Sequence, residues 1–201
     1  MIRGGKMDGF ERRKKQKQTA ILKASLKLFM KNGIKKVSIQ MIAKEADVSQ
    51  VTIYNYFGSK DQLVDEVIAY YVNNLWVEYE EIIYSKQLSY KEKLEQVTFQ
   101  KNRDALHIHE EVYERMMNDF NQNRGALKDY QDKAMPLLMD LLNEGKELGY
   151  IDKNISNEAI MIFSQMFINY IQKEEVHQYL LPYTEDLMQL FFYGIFGKEK
   201  D

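Results

Sequence analysis

Residues 46–63 read ADVSQVTIYNYFGSKDQL, and the fold turns on how this stretch is divided. Ser49 is a good N-cap for a short helix, and Gly58 is the residue expected to stop it about two turns later. At 100° per residue Ile53 and Phe57 share the inner side, with Val48 placed to staple onto Ile53. Val51, Thr52, Tyr54 and Asn55 spread around the outer side and Gln50 sits at the leading end. Hydroxyls, amides and an exposed valine therefore occupy the face where a free amphipathic helix would carry charge. Ser59 and Gln62 then form the S-x-x-Q capping pair of a following helix. Lys60 falls in the first turn of that helix, where its charge opposes the helix dipole at a cost of about 0.3–1 kcal/mol.

Upstream, Ser38 caps a helix whose Ile39, Ile42, Ala43 and Ala46 recur at i, i+3, i+4 and i+7, a single buried stripe. Only Ala46-Asp47-Val48 separates it from the short helix. Before it, Ile21, Leu22, Ser25, Leu26, Leu28 and Phe29 keep one face of a helix expected over residues 18–32, with Gly33 as its stop. The basic run Arg12–Lys17 is read as an arm preceding that helix. Two helices joined by a three-residue turn, the second with a polar outer face, describe a helix-turn-helix.

Charge supports this division. Residues 1–60 hold 14 Lys/Arg against 4 Asp/Glu, whereas the remainder holds 14 against 26. A basic first part on a chain of net charge -2 points to a polyanionic partner for that part. Cysteine is absent, which excludes disulfides and thiolate metal sites and fits a reducing cytoplasm. No apolar run approaches the roughly 18 residues of a membrane span, and the N-terminus lacks the apolar core of a secretory signal.

The remaining pattern is helical throughout. The fourth helix runs to about Tyr84 and contains the domain seam. A Ser89-x-x-Glu92 box opens a helix to roughly Arg103, and another is expected from Asp104 to Phe120. A long pattern from Gly125 to Leu148 contains Pro136, a kink or break. Segments 157–173 and 184–196 are apolar on more than one face, which calls for burial on both sides and hence a homodimer through four helices. Met116, Met117, Phe120, Met135, Met139, Phe163, Met166, Phe167 and Tyr170 are candidates to line a pocket for a small-molecule effector, or else plain core.

Nothing supports catalysis. His107 and His109 point apart on a helix, two candidate ligands do not make a metal site, and His177 is isolated. Phosphate-loop, nucleophile-elbow and zinc-protease patterns are missing, and no cofactor is called for.

Across residues 21–63, the pattern IL.AS..LF...G...VSIQMIAKEADVSQVTIYNYFGSKDQL resembles the N-terminal domain of the tetracycline-repressor (TetR) family of bacterial transcriptional regulators. The resemblance covers about a quarter of the chain, and its T-x-Y-x-Y-F-x-S-K ending is specific. It implies an all-α protein. A three-helix DNA-binding domain (1–62, with the basic arm) is joined by a shared helix to a helical ligand-binding and dimerisation domain (63–201). It also implies double-stranded DNA as partner and a homodimer. Asp47 departs from the glycine usual in the family at this turn, and Asp tolerates the left-handed region better than most residues.

Within that framework Gln50, Val51, Thr52 and Asn55 are the candidates for base edges: amides for adenine, methyl groups for thymine. Ser38, Tyr54, Tyr56 and Lys60 are candidates for phosphate, which would reverse the sign of the misplaced Lys60 charge. The expected function is a ligand-responsive repressor on a palindromic operator. The alternative is a DNA-binding structural or partner-recruiting protein without an inducer.

Overall fold

The computed structural model describes residues 9–105, 108–122 and 124–171, with 183, 186, 187 and 190. Among these residues the regular structure is helical: α1 (Gly9–Asn32), α2 (Ile39–Glu45), α3 (Gln50–Phe57), α4 (Lys60–Ile83), α5 (Tyr90–Ala105), α6 (Glu110–Asn121), α7 (Gly125–Glu147) and α8 (Asn157–Ile171). The chain divides into two compact units, residues 1–75 with 108–128, and residues 76–107 with 129–201. The division falls inside α4, later than the expected 62/63 boundary, and it places α6 with the first unit.

In the first unit α1 packs on α2 and α2 on α3. Ile21, Phe29, Val37, Ile42, Ile53, Leu63 and Val67 are all but inaccessible to solvent, each contributing about 1.5–3 kcal/mol of burial. Two local devices set the angles between these short helices. Gly33 ends α1 at φ 81° with its N–H bonded to the Phe29 carbonyl. A side chain there would also strike the His109 imidazole, with Cβ 2.7 Å from Cε1, so glycine is required twice over. Asp47 holds φ 52° between α2 and α3, the left-handed conformation expected of this turn.

Two expectations are corrected. α1 begins at Gly9, not residue 18, so the Arg12–Lys17 run is helical rather than an arm. Glu11 in the first turn suits the dipole there, and basic residues are themselves good helix formers. The helix expected over 104–120 is interrupted, because α6 starts only at Glu110. His109 is its N-cap, with Nδ1 accepting from the Glu111 N–H at 3.2 Å, so a residue outside the usual capping set opens the helix. His107, His177 and most of segment 184–196 lie outside the described residues.

In the second unit the Ser89–Glu92 box is complete. Glu92 N–H donates to Ser89 Oγ, while the Ser89 N–H and hydroxyl both donate to the Glu92 carboxylate at 2.7 Å. Lys93, one turn on, is buried and donates to both Glu144 oxygens at 2.7 and 3.0 Å, tying α5 to α7. Tyr90 is buried beside this pair, and desolvation together with the Glu144 charge pushes its phenol well above the usual range. It lies where any Cβ on Gly145 would fall, so that glycine is a close-approach point between α5 and α7. Leu142, Ile151 and Ile160 form a core with Leu138, Met139 and Ile155 against it. Trp76 meets Tyr130 edge-to-face at 5.7 Å. α7 continues through Pro136 without ending, the proline being exposed.

A candidate nucleic-acid interface

Ser38 and Ser49 define the helix-turn-helix at atomic level. Ser38 Oγ accepts from Met41 N–H at 3.2 Å, and Ser49 Oγ accepts from Thr52 N–H at 3.1 Å. Each bond satisfies an amide that the helix itself leaves open, at about 1 kcal/mol apiece. The α3 C-cap is Gly58, whose N–H reaches the Tyr54 carbonyl at 2.8 Å. Gln62 N–H then bonds Ser59 Oγ at 3.1 Å, starting α4 at Lys60.

α3 is thereby presented with two distinct faces. Ile53 and Phe57 point into the unit, at 1% and 8% exposure. Gln50, Val51, Tyr54 and Asn55 are exposed, Val51 at 66%, and Thr52 is half-buried. Tyr56 is half-buried at the edge, meeting Phe57 ring edge to ring face at 6.3 Å. The side-chain chemistry on offer is one carboxamide at each end, two small apolar groups between them, and a phenol. An exposed valine on a short capped helix gains nothing in water, and a major groove offers it thymine methyl groups.

The Thr52 hydroxyl is not simply free. It lies 2.8 Å from Ser49 Oγ, so the capping serine and the threonine share a hydroxyl–hydroxyl hydrogen bond in which either can donate. Sequence spacing foretold the cap but not this second bond.

Lys60 is the larger surprise. Its side chain is half-buried, and Nζ donates to the Ile34 carbonyl in the α1–α2 turn at 2.7 Å. The adjoining Lys35 N–H donates to Glu111 at 2.7 Å. One turn is thus held on its carbonyl side from α4 and on its amide side from α6. The Lys35 amide, first among its causes, holds the Glu111 carboxyl below the usual range, helped by the Lys35 charge. An ammonium carries three donors, and Lys60 has spent one on this turn.

The pocket candidates divide between the units. Met116 is buried and Met117 and Phe120 half-buried on α6 in the first unit. In the second, Met139 packs on the Leu142 core, while Met135, Phe163, Met166 and Tyr170 are exposed; the Phe167 side chain lies outside the described residues. Among the described residues, no three His, Cys, Asp or Glu side chains stand together as a metal site, and no helix is long and apolar enough to cross a membrane.

A family model for bacterial regulatory proteins of the tetR family matches residues 21–67, the segment from mid-α1 to the start of α4. Over 57 residues the chain is 40% identical to the HTH-type transcriptional regulator YuxN of Bacillus subtilis, spanning 28% of this chain and 20% of that protein. Over 154 residues it is 25% identical to the HTH-type transcriptional repressor KstR2 of Rhodococcus jostii, covering 75% of each. Among solved structures, the transcriptional regulator FadR of Bacillus subtilis in complex with stearoyl-CoA superposes with a TM-score of 0.57 at 21% identity, over 88% of this chain and 98% of that one. The all-helical fold, the capped helix-turn-helix and the family match agree: residues 21–67 form a DNA-binding domain of the tetR family type, and over three quarters of its length the chain is similar to a transcriptional repressor.

Proposed function

We propose that the protein acts in the cytoplasm as a homodimeric repressor that binds a palindromic operator and releases it on binding a small apolar or amphipathic molecule. The observation that carries the DNA part is the exposed outer face of α3, with Gln50, Val51 and Asn55 presented by a helix capped at both ends. In this reading Gln50, Val51, Thr52 and Asn55 meet base edges, while Ser38, Tyr54, Tyr56 and Lys60 meet phosphates. Two copies are needed because two reading helices about one duplex turn apart match a two-fold operator. The exposed apolar side of α8, with Ile162 and Met166 at its most open, supports the same conclusion.

The effector part rests on the methionine- and aromatic-rich composition foreseen in the sequence, a side-chain class that suits ligands without fixed polarity. FadR holds stearoyl-CoA in a fold of this kind. Release follows if the ligand binds better to a dimer whose reading heads sit at the wrong separation, since only differential affinity shifts a population.

Selection from random duplexes tests the assignment. The wild type is expected to return a palindrome, and Asn55→Ala a consensus relaxed at one position per half-site, losing about 1–3 kcal/mol on the best sequence. Lys60→Ala is expected to weaken selected and random duplexes alike and to lower the salt slope by about one unit. An unchanged consensus for Asn55→Ala removes that residue from base contact.

A further inference from the structure

α1 carries eight Lys/Arg and a single acid, Glu11. Lys27 is engaged with Glu45 at 2.6 Å. Arg12, Lys15 and Lys23 are exposed, and among the described residues no ion pair engages them. With Gln16, Thr19 and Ala20 they line an open groove of about 330 Å³.

Because α1 is helical from Gly9, these positions have a fixed azimuth. Arg12, Lys15, Gln16, Thr19 and Lys23 recur at i, i+3, i+4, i+7 and i+11, so they form one stripe. The buried residues Ile21, Ala24, Ser25 and Phe29 lie on roughly the opposite side. From Arg12 to Lys23 the stripe is about 16 Å long at 1.5 Å per residue. That is close to the rise of about five nucleotides along one DNA strand.

Left alone, the arrangement is unfavourable. Like charges one turn apart repel, and cations crowd the positive end of the helix dipole. A line of phosphates reverses both effects. A lipid surface fits less well, because a helix that lies on a bilayer needs an apolar face to insert. Among the described residues, 11–17 are polar and exposed on every side, with Phe10 the one large apolar side chain at that end.

We propose that this stripe of α1 is a second phosphate-binding surface, which grips duplex flanking the sequence read by α3. The proposal rests on α3 being the reading helix. Arg12, Lys15 and Lys23 supply charge, and Gln16 and Thr19 supply neutral donors to phosphate oxygens. Operator affinity then depends on duplex that no side chain reads.

The test uses the full chain and the variant R12Q/K15Q/K23Q, whose changes are solvent-exposed and helix-compatible; circular dichroism checks the fold. Both proteins are titrated against the selected operator with its flanks lengthened stepwise, at several salt concentrations. The wild type is expected to tighten roughly tenfold with flank length before levelling off, while the variant stays flat and its salt slope falls by up to about three units. Both return the same consensus in selection. A variant that keeps the flank gain overturns the proposal. So does a wild type whose variant-sensitive binding appears on phosphatidylglycerol vesicles and not on long duplex. If the wild type selects no sequence yet shows a flank gain that the variant loses, the reading of α3 fails and the stripe stands. Absence of any duplex binding sinks both.

Discussion

Asp47 shows how much one backbone angle decides. At φ 52° it turns the chain from α2 into α3 within the four residues 46–49, and so fixes the angle at which the outer face of α3 is offered. An L-residue there costs about 1–2 kcal/mol, part of which an Asp side chain recovers by local hydrogen bonding. Asp47→Gly removes the steric cost, though it adds flexibility to the unfolded chain. Denaturant unfolding is expected to show Asp47→Gly more stable by a few tenths to about 1 kcal/mol, with operator affinity unchanged. A valine at the same position, which cannot adopt this angle comfortably, is expected to lose more than 1 kcal/mol and to weaken DNA binding with it.

At the scale of elements, what the sequence makes readable is what acts locally. Ser38, Ser49, Gly58 and Ser59 each work within four residues, so the boundaries of α2, α3 and α4 follow from spacing alone. The bonds that hold these helices to their neighbours were hidden for the opposite reason. Lys60 and Ile34 are 26 positions apart, and Lys35 and Glu111 are 76 apart. No periodicity relates them; only the fold brings them together. The α6 start is not legible from spacing because histidine is a poor statistical cap, although its Nδ1 can accept an amide as a serine oxygen does. The basic extension of α1 reads as an arm because the run lacks apolar periodicity.

The Glu111 clamp has a defined acid limit. Its folded carboxyl titrates below the ordinary value, so the stabilisation is complete above about pH 4.5. It is lost as pH falls through the depressed folded value. Amide exchange read residue by residue is expected to show Lys35 protected near neutral pH. That protection should be lost in Glu111→Gln, which keeps the shape of the side chain but weakens the acceptor, before any loss at the Ile53 amide in the core. Equal loss at both positions would mean global unfolding and no separate clamp.

At the scale of the whole molecule the decisive feature, among the described residues, is an exposed apolar strip. In α8, Ile160 is buried, whereas Ile162, Phe163, Met166 and Tyr170 are 62%, 48%, 66% and 53% exposed. That apolar strip was expected from a segment hydrophobic on two sides. Sedimentation at micromolar concentration is expected to show a species of twice 23.9 kDa. Ile162→Glu combined with Met166→Glu is expected to shift it to the single mass and to lower operator affinity at least tenfold, since one head then binds without the other. A wild type sedimenting only as the single chain would rule out the dimer.

The anchored Lys60 side chain changes the accounting of any anion that meets it. A free surface lysine samples many rotamers, and immobilising one costs up to about 1.5–2 kcal/mol. Here the Ile34 carbonyl already holds Nζ at 2.7 Å, so folding has met that cost before a ligand arrives. The two remaining protons of the ammonium are delivered from a pre-organised position at the first turn of α4. An arginine of equal charge, too broad for a single carbonyl cradle, would surrender that advantage.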